Sequence, residues 1–345
     1  MKGKYLITAA LLLFILPVNI ISQDEPVDLE AVYMIKQEGF KNSAIEDLSF
    51  WMTDFVGPRL TASSGKKRAD EWAGKRMQEY GLENVRIEKA RPFDRGGWEN
   101  QKTYIAMTAP YYANFTANPK AWTGSTRGLI KGNPVLLELN NENDFENYRG
   151  KLKGKIVIMP SAGSYEVSFE PLAARYSDDE LEDIRQANYS GRRGRRGNFD
   201  FDEYRRRMML QRQAADFLRE EGVAAILTGS GEFNVPRSSG AAYTSGDTQP
   251  VAELYLPLEA HSRIVRLMEH NVDVELEVEV KSSFYKSPDV TNVIGEIPGT
   301  DPDLKNEIVL LGGHYDSWHG GTGAADNASG CIVMMEAMRI LKSLD

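Results

Sequence analysis

The stretch EIVLLGGHYDSWHGGTGAADNAS, residues 307–329, sets His314, Asp316, His319 and Asp326 on a glycine-rich segment. A neutral imidazole and nearby carboxylates form a donor set that suits zinc or a similar divalent ion. His314 could bind a metal through one ring nitrogen while Asp316, two residues on, orients the ring through the other. Asp326, beyond the glycines, could swing back towards the same place and bridge two ions. A histidine hydrogen-bonded at a strand end is the plain alternative for His314 taken alone. Two aspartates and a glycine loop beside it favour metal, and cobalt or manganese would suit the same donors.

Such side chains need elements to position them. Ile308-Val309-Leu310-Leu311 is short, apolar and not alternating, the pattern of a strand buried on both faces. Gly312-Gly313 ends it, and the apolar stretch Ile332 to Leu344 has helical character. Strand, glycine loop and helix make the repeating unit of an open α/β sheet, whose ligands sit at the carboxyl ends of the strands. His314 and Asp316 are expected at such an end.

Gly313-His314-Tyr315-Asp316-Ser317-Trp318, followed by Gly321-Thr322-Gly323-Ala324-Ala325-Asp326-Asn327-Ala328-Ser329-Gly330, resembles the co-catalytic di-zinc exopeptidases. That family includes secreted aminopeptidases, glutamate carboxypeptidases, carboxypeptidase Q-like enzymes and the transferrin receptor ectodomain. The resemblance implies a three-layer α/β zinc-peptidase core, here its N-terminal part, with an inserted β-rich protease-associated domain. It also implies two zinc ions, with His314 and Asp326 as metal ligands, Asp326 bridging the pair, and Asp316 as the catalytic support of the ligand histidine. His319 stands where relatives often carry an acid and is expected to face the cleft as a loop residue, not a ligand. Relatives carry a Glu-Glu pair after the helix that follows the bridging aspartate, then a further Asp and His. None of these is found here. Glu336 is the acid within that helix and is expected on a solvated face. The chain is therefore expected to be an inactive fragment of a longer product, cut off before the general base, a degenerate copy being the alternative.

Composition agrees with a globular, exported protein. The 345 residues are 41% hydrophobic and 10% aromatic, with a net charge of −9 that argues against a nucleic-acid partner. The single cysteine, Cys331, excludes an intrachain disulfide and is expected to be a small buried hydrophobe. Lys2 and Lys4 precede an apolar run, Tyr5 to Leu16, that is too short for a confident membrane span. Residues 1–22 read as a signal peptide, with an uncleaved anchor as the alternative, and imply a periplasmic or secreted destination without a stable membrane anchor.

Helices are expected over Ala31–Phe40, over Ser43–Phe55 with Ile45, Leu48, Met52 and Phe55 on one face, and over Lys66–Tyr80, ending at Gly81. The loop Gly57-Pro58-Arg59-Leu60-Thr61 and the closing Tyr80-Gly81-Leu82 also resemble the opening of the same peptidases, though ordinary core packing explains them equally. Strands are expected over Val85–Ala90 and Thr103–Ala109. A composition shift near Tyr111 marks residues 111–285 as an inserted lid between peptidase segments 23–110 and 286–345. Within it Val272 to Val280 alternate with glutamates, a period-two strand. The arginines of 192–196 and 205–207 are flanked by acids and read as a solvated face. Thr291–Ile297 is expected to be a strand lying beside 308–311.

The function the resemblance implies is a zinc-dependent exopeptidase of aminopeptidase or dipeptidase type, acting on peptides or dipeptides. A non-catalytic receptor on the same fold and a glutaminyl-cyclase-type acyltransferase are the alternatives.

Overall fold

A computed structural model describes residues 27–139, 141–160, 169–171, 173–186, 201–231, 236–286 and 289–344. Residues 1–22, expected to be a signal peptide, and the arginines of 192–196 lie outside the described residues.

The chain opens with helix α1, Leu29–Lys41, whose first turn is capped by the Asp28 carboxylate accepting from the Glu30 and Ala31 amides. Helix α2, Ile45–Ser49, runs on into a π-helical segment, Phe50–Val56. That widened turn alters the face expected from sequence. Leu48, Met52 and Val56 are buried, whereas Ile45 and Phe55 are exposed. Helix α3, Ser64–Glu79, is capped by Ser63, and Gly81 beyond it has the positive φ of a helix C-terminus.

Strand β1, Glu83–Pro92, leads into β2, Gly97–Ala109. The short strands β3, Ala113–Asn114, β4, Asn118–Pro119, β5, Ile130–Gly132, and β6, Val135–Leu136, follow. Next come β7, Ile156–Ile158, α4, Asp178–Gln186, α5, Phe201–Glu220, and β8, Ala225–Gly229. Then come β9, Glu253–Leu256, α6, Leu258–Glu269, β10, Glu275–Tyr285, and β11, Asp289–Glu296. A kinked segment, Ala324–Ala328, leads into α7, Ser329–Ser343.

Three sheets result, making a mixed α/β architecture. β1 and β11 pair antiparallel. A four-stranded antiparallel sheet has the order β3-β2-β10-β5, and a five-stranded, mostly parallel sheet the order β4-β9-β8-β7-β6. β2 precedes residue 111 yet pairs along its length with β10. The two larger sheets and α6 share a core of Ile105, Met107, Ile158, Leu227, Leu254, Leu276 and Val278. The alternation read from Val272 to Val280 appears in β10 as buried Leu276, Val278 and Val280 between half-buried glutamates. Arg205 and Arg206, on α5, are exposed to solvent as expected.

One expectation fails. Ile308, Val309 and Leu310 form no strand and are 87, 90 and 88% exposed. They do not pair with β11, whose partner is β1. Apolar composition expresses a preference for burial, but a strand exists only in a ladder that satisfies its N–H and C=O groups. Among the described residues no strand supplies that ladder, and the backbone of 308–311 stays irregular.

A second correction concerns Glu336, which is 4% exposed rather than on a solvated face. It accepts the Ala44 amide at 3.1 Å and pairs with Arg339 at 2.8 Å. Arg339 also reaches Glu38 of α1 at 2.6 Å. Burial alone would raise the Glu336 carboxyl, but the bonds from Arg339 and Ala44 outweigh it and hold the group below its ordinary value. The stability it contributes is therefore present above the unfolded carboxylate pKa and lost as pH falls through the lower, folded one. Replacing Glu336 by Gln should cost roughly 1.5–3 kcal/mol near neutrality, the scale of a hydrogen bond to a charged group. Urea unfolding should show this gap at pH 7 and see it close as the medium is acidified below about pH 4.

Candidate metal centre

His314 and Asp316 are presented by an irregular segment, not by a strand end, and that segment is held from the opposite side by the turn before α3. Arg59, in that turn, is 0% exposed. Its guanidinium donates to five backbone carbonyls: Met52 at 3.2 Å, Gly57 at 2.8 Å, Tyr315 at 3.0 Å, Thr322 at 2.7 Å and Gly323 at 3.0 Å. The Arg59 amide donates to Ser317 Oγ, and the Ser317 amide to the Arg59 carbonyl, each at 3.1 Å. Burial lowers the guanidinium's pKa, yet arginine stays protonated in proteins. Neither carboxylate of the centre is among its hydrogen-bond acceptors. The cation is solvated by peptide dipoles from both ends of the glycine loop.

Thr61, two residues on, donates its hydroxyl to Asp316 Oδ2 in a short hydrogen bond. The other oxygen, Oδ1, faces His314 Nδ1 at 3.3 Å. On the far side of the ring, His314 Nε2 lies 2.8 Å from Asp326 Oδ1. The structure thus brings together the three residues singled out from sequence. Tyr315, between them, turns inward. Its hydroxyl donates to the Ala69 carbonyl at 2.8 Å, its ring lies 5.3 Å from Lys66 Nζ, and burial raises its pKa. Cys331 is buried as expected, with Sγ 3.2 Å from the His314 carbonyl and its thiol pushed up by burial.

His319 is placed differently from the expectation that it faces the cleft. Nε2 contacts the Pro119 carbonyl at 2.6 Å and the ring meets Trp98 edge-on at 5.0 Å. Burial lowers its pKa, which favours the neutral ring. Its role here is to join the loop to β2 and β4.

The donor set passes a test of fit for a divalent cation. Carboxylate oxygens face both ring nitrogens of His314, and a neutral imidazole has one N–H to donate. Such a ring answers one of those oxygens and turns a bare nitrogen to the other, which is where a cation would stand. Two donors about 2.0–2.2 Å from one tetrahedral zinc lie roughly 3.4 Å apart, so the 2.8 Å pair needs a small opening to admit the ion. Both side chains are exposed, which leaves room for it. Among the described residues no group of three or more His, Cys, Asp or Glu side chains is arranged to hold a metal ion.

The model of peptidase family M28 matches residues 292–345, the segment that holds His314, Asp316 and Asp326. The match covers that segment of the chain and supports the likeness to the di-zinc exopeptidases noted from sequence. It is 22% identical over 311 residues to carboxypeptidase Q of Mus musculus, which covers 88% of this chain and 56% of that protein. It is 26% identical over 308 residues to carboxypeptidase Q of Bos taurus, covering 88% and 55%. Among solved structures it resembles the peptidase M28 precursor of Shewanella amazonensis, with a TM-score of 0.57, 21% identity, and coverage of 91% of this chain and 63% of that one. The chain spans a little over half the length of the curated relatives it matches. The fold likeness agrees with the α/β class expected from sequence.

Arg59 and Thr61 were not singled out as site residues from sequence. Gly57-Pro58-Arg59-Leu60-Thr61 was noted for its likeness to the family's opening, but 255 residues separate Thr61 from Asp316. Gly323 has a φ of 63°, and a Cβ there would run into the Ser317 side chain and lie 2.9 Å from Arg59 Nη2. Gly323→Ala should therefore lose stability through left-handed backbone strain of about 1–2 kcal/mol and a similar overpacking penalty. Gly321, with open space around it, should accept alanine within about 0.5 kcal/mol. Denaturant midpoints of the two variants decide this.

Proposed function

We propose that His314 and Asp326 are metal ligands of a zinc-dependent exopeptidase centre that cleaves terminal bonds of peptides or dipeptides. The observation that carries this reading is the convergence of His314 Nε2 and Asp326 Oδ1 to 2.8 Å, with Asp316 behind the ring. Asp316 accepts from Nδ1 and so leaves Nε2 as the metal-binding nitrogen. Asp326, with its carboxylate open to solvent, has a second oxygen free to bridge to another ion. Zinc, when bound, polarises a carbonyl and a water molecule. The chain's own part in that chemistry is to hold two donors, fix the histidine tautomer and keep the loop rigid. In the family likeness a glutamate takes the proton from water. Among the described residues no third His, Cys, Asp or Glu joins His314 and Asp326 in a group that could hold an ion.

The same reading assigns residues 111–285 the part of a protease-associated lid and residues 1–22 that of an export signal. Among the described residues no helix is long and apolar enough to cross a membrane.

A closed zinc site wants four ligands and this pair supplies two, so the 345-residue chain should bind Zn2+ weakly and hydrolyse peptides poorly. Isothermal titration with Zn2+ should give weak binding that His314→Ala and Asp326→Asn each abolish and Asp316→Asn weakens about 10–100-fold. Unchanged binding in His314→Ala would overturn the assignment. Robust hydrolysis of an aminoacyl-anilide or a dipeptide, lost in His314→Ala, would keep the metal centre but refute the expectation of inactivity.

A further inference from the structure

The geometry points to the turn Gly57–Thr61 as the template of the metal loop, with Arg59 setting its backbone and Thr61 aiming Asp316 at His314. This rests on the zinc-centre reading above and adds two positioning residues to it. The segment that carries His314 has no strand ladder among the described residues, so something else must hold it in place. The atoms that do so come mainly from this turn. Arg59 joins Tyr315, at the start of the loop, to Thr322 and Gly323, at its end, through one planar group. The reciprocal amide bonds between Arg59 and Ser317 fix the loop's height against the turn. With the backbone held, Asp316 still has freedom about its side-chain torsions. The hydroxyl of Thr61 removes it by binding Oδ2, which leaves Oδ1 turned towards Nδ1 of His314. The chain of influence runs Thr61, Asp316, His314, and ends at the nitrogen that meets the metal.

A purely structural role would make these residues matter only for stability. A positioning role makes them matter for the state of the His314 ring in a folded protein. Thr61→Val keeps the shape and removes the hydroxyl donor, and Thr61→Ser restores it. Arg59→Lys keeps the charge but has three donors where five carbonyls now receive one bond each. Val157→Ala, in the buried core of the five-stranded sheet, controls for lost stability.

Two readouts serve, each on the full chain. Long-range 1H–15N spectra report the tautomer of His314, which must be assigned among only four histidines. Competition with a chromophoric chelator reports the affinity for Zn2+. Thr61→Val should lower the fraction of the Nδ1–H tautomer in the metal-free chain and weaken Zn2+ binding about tenfold or more. Thr61→Ser should recover both within a few-fold, while Val157→Ala leaves both unchanged and Arg59→Lys shifts both. A Thr61→Val chain with the parent's tautomer ratio would overturn the proposal, as would Val157→Ala weakening Zn2+ as much as Arg59→Lys. If the parent chain binds no Zn2+, the zinc reading falls, and the tautomer measurement still decides whether Thr61 aims Asp316.

Discussion

A buried guanidinium that finds backbone carbonyls instead of an acid organises this molecule's chemistry. Arg59 sits where water cannot reach it, and the desolvation of a cation there is costly unless its donors are met. Five carbonyls meet them. The bonds are directional and short, so the cost of leaving any one unmade opposes movement of the peptide that makes it. Three of those peptides, at Tyr315, Thr322 and Gly323, belong to the loop that carries the acidic and imidazole groups. The separation between His314 and Asp326 is thus set indirectly, by where one arginine requires three carbonyls to be.

Two further ionic groups tie this arrangement to the helices around it. Lys66 and Asp70, both buried on α3, pair at 2.5 Å, and Asp70 accepts from Thr291 Oγ1 of β11 at 2.6 Å. Lys66 Nζ also lies over the Tyr315 ring and contacts the Thr291 carbonyl at 3.3 Å. On the other side, Arg339 of α7 holds Glu336 and Glu38, joining α7 to α1. Buried pairs are poor evidence of net stability, since much of their Coulomb energy repays desolvation. Their geometry is more informative. Each pair links the helix that carries it to a different element: α3 to β11, and α7 to α1 and to the start of α2. Apolar contacts among Leu48, Met52, Ile332 and Met335 fill the space between.

The parts of the fold that could be read from sequence are those whose cause is local. Asp28 and Ser63 cap helices they immediately precede, and Gly81 ends one it immediately follows. The glutamates of β10 alternate with residues that pack on one sheet face, a pattern visible without knowing the partner strand. His314, Asp316 and Asp326 drew notice because such donors are unusual on a glycine-rich loop, and the structure sets their side chains next to one another. What was not legible has its cause far away in the chain. The π-helical turn at Phe50–Val56 shifts a helix face in a way that no 3.6-residue periodicity anticipates. Glu336 looked like a surface acid because Ala44 and Glu38, which surround it with Arg339, are nearly 300 residues away. Residues 308–311 looked like a buried strand because composition does not say whether a neighbouring strand is there. Arg59 looked like one loop residue among others, because three of its five carbonyl partners are over 250 residues distant.

The loop is also fastened from a second direction, and the two fastenings divide its labour. His319 contacts the Pro119 carbonyl and Trp98, and Gly320 packs so closely on Asn118 and Ser238 that a methyl group there would collide with both. These contacts attach the middle of the loop to the strands β2 and β4, while Arg59 attaches its two ends to the turn before α3. Asp316 lies next to one of the ends held by Arg59 and Asp326 just past the other, so the same arginine sets the backbone beside both carboxylates. Their common meeting point is His314, with an oxygen at each ring nitrogen. A neutral ring answers one of those oxygens with its single proton. The other is left for a positive charge, and with both side chains open to solvent on that side a metal ion can reach the place where the two fastened halves converge.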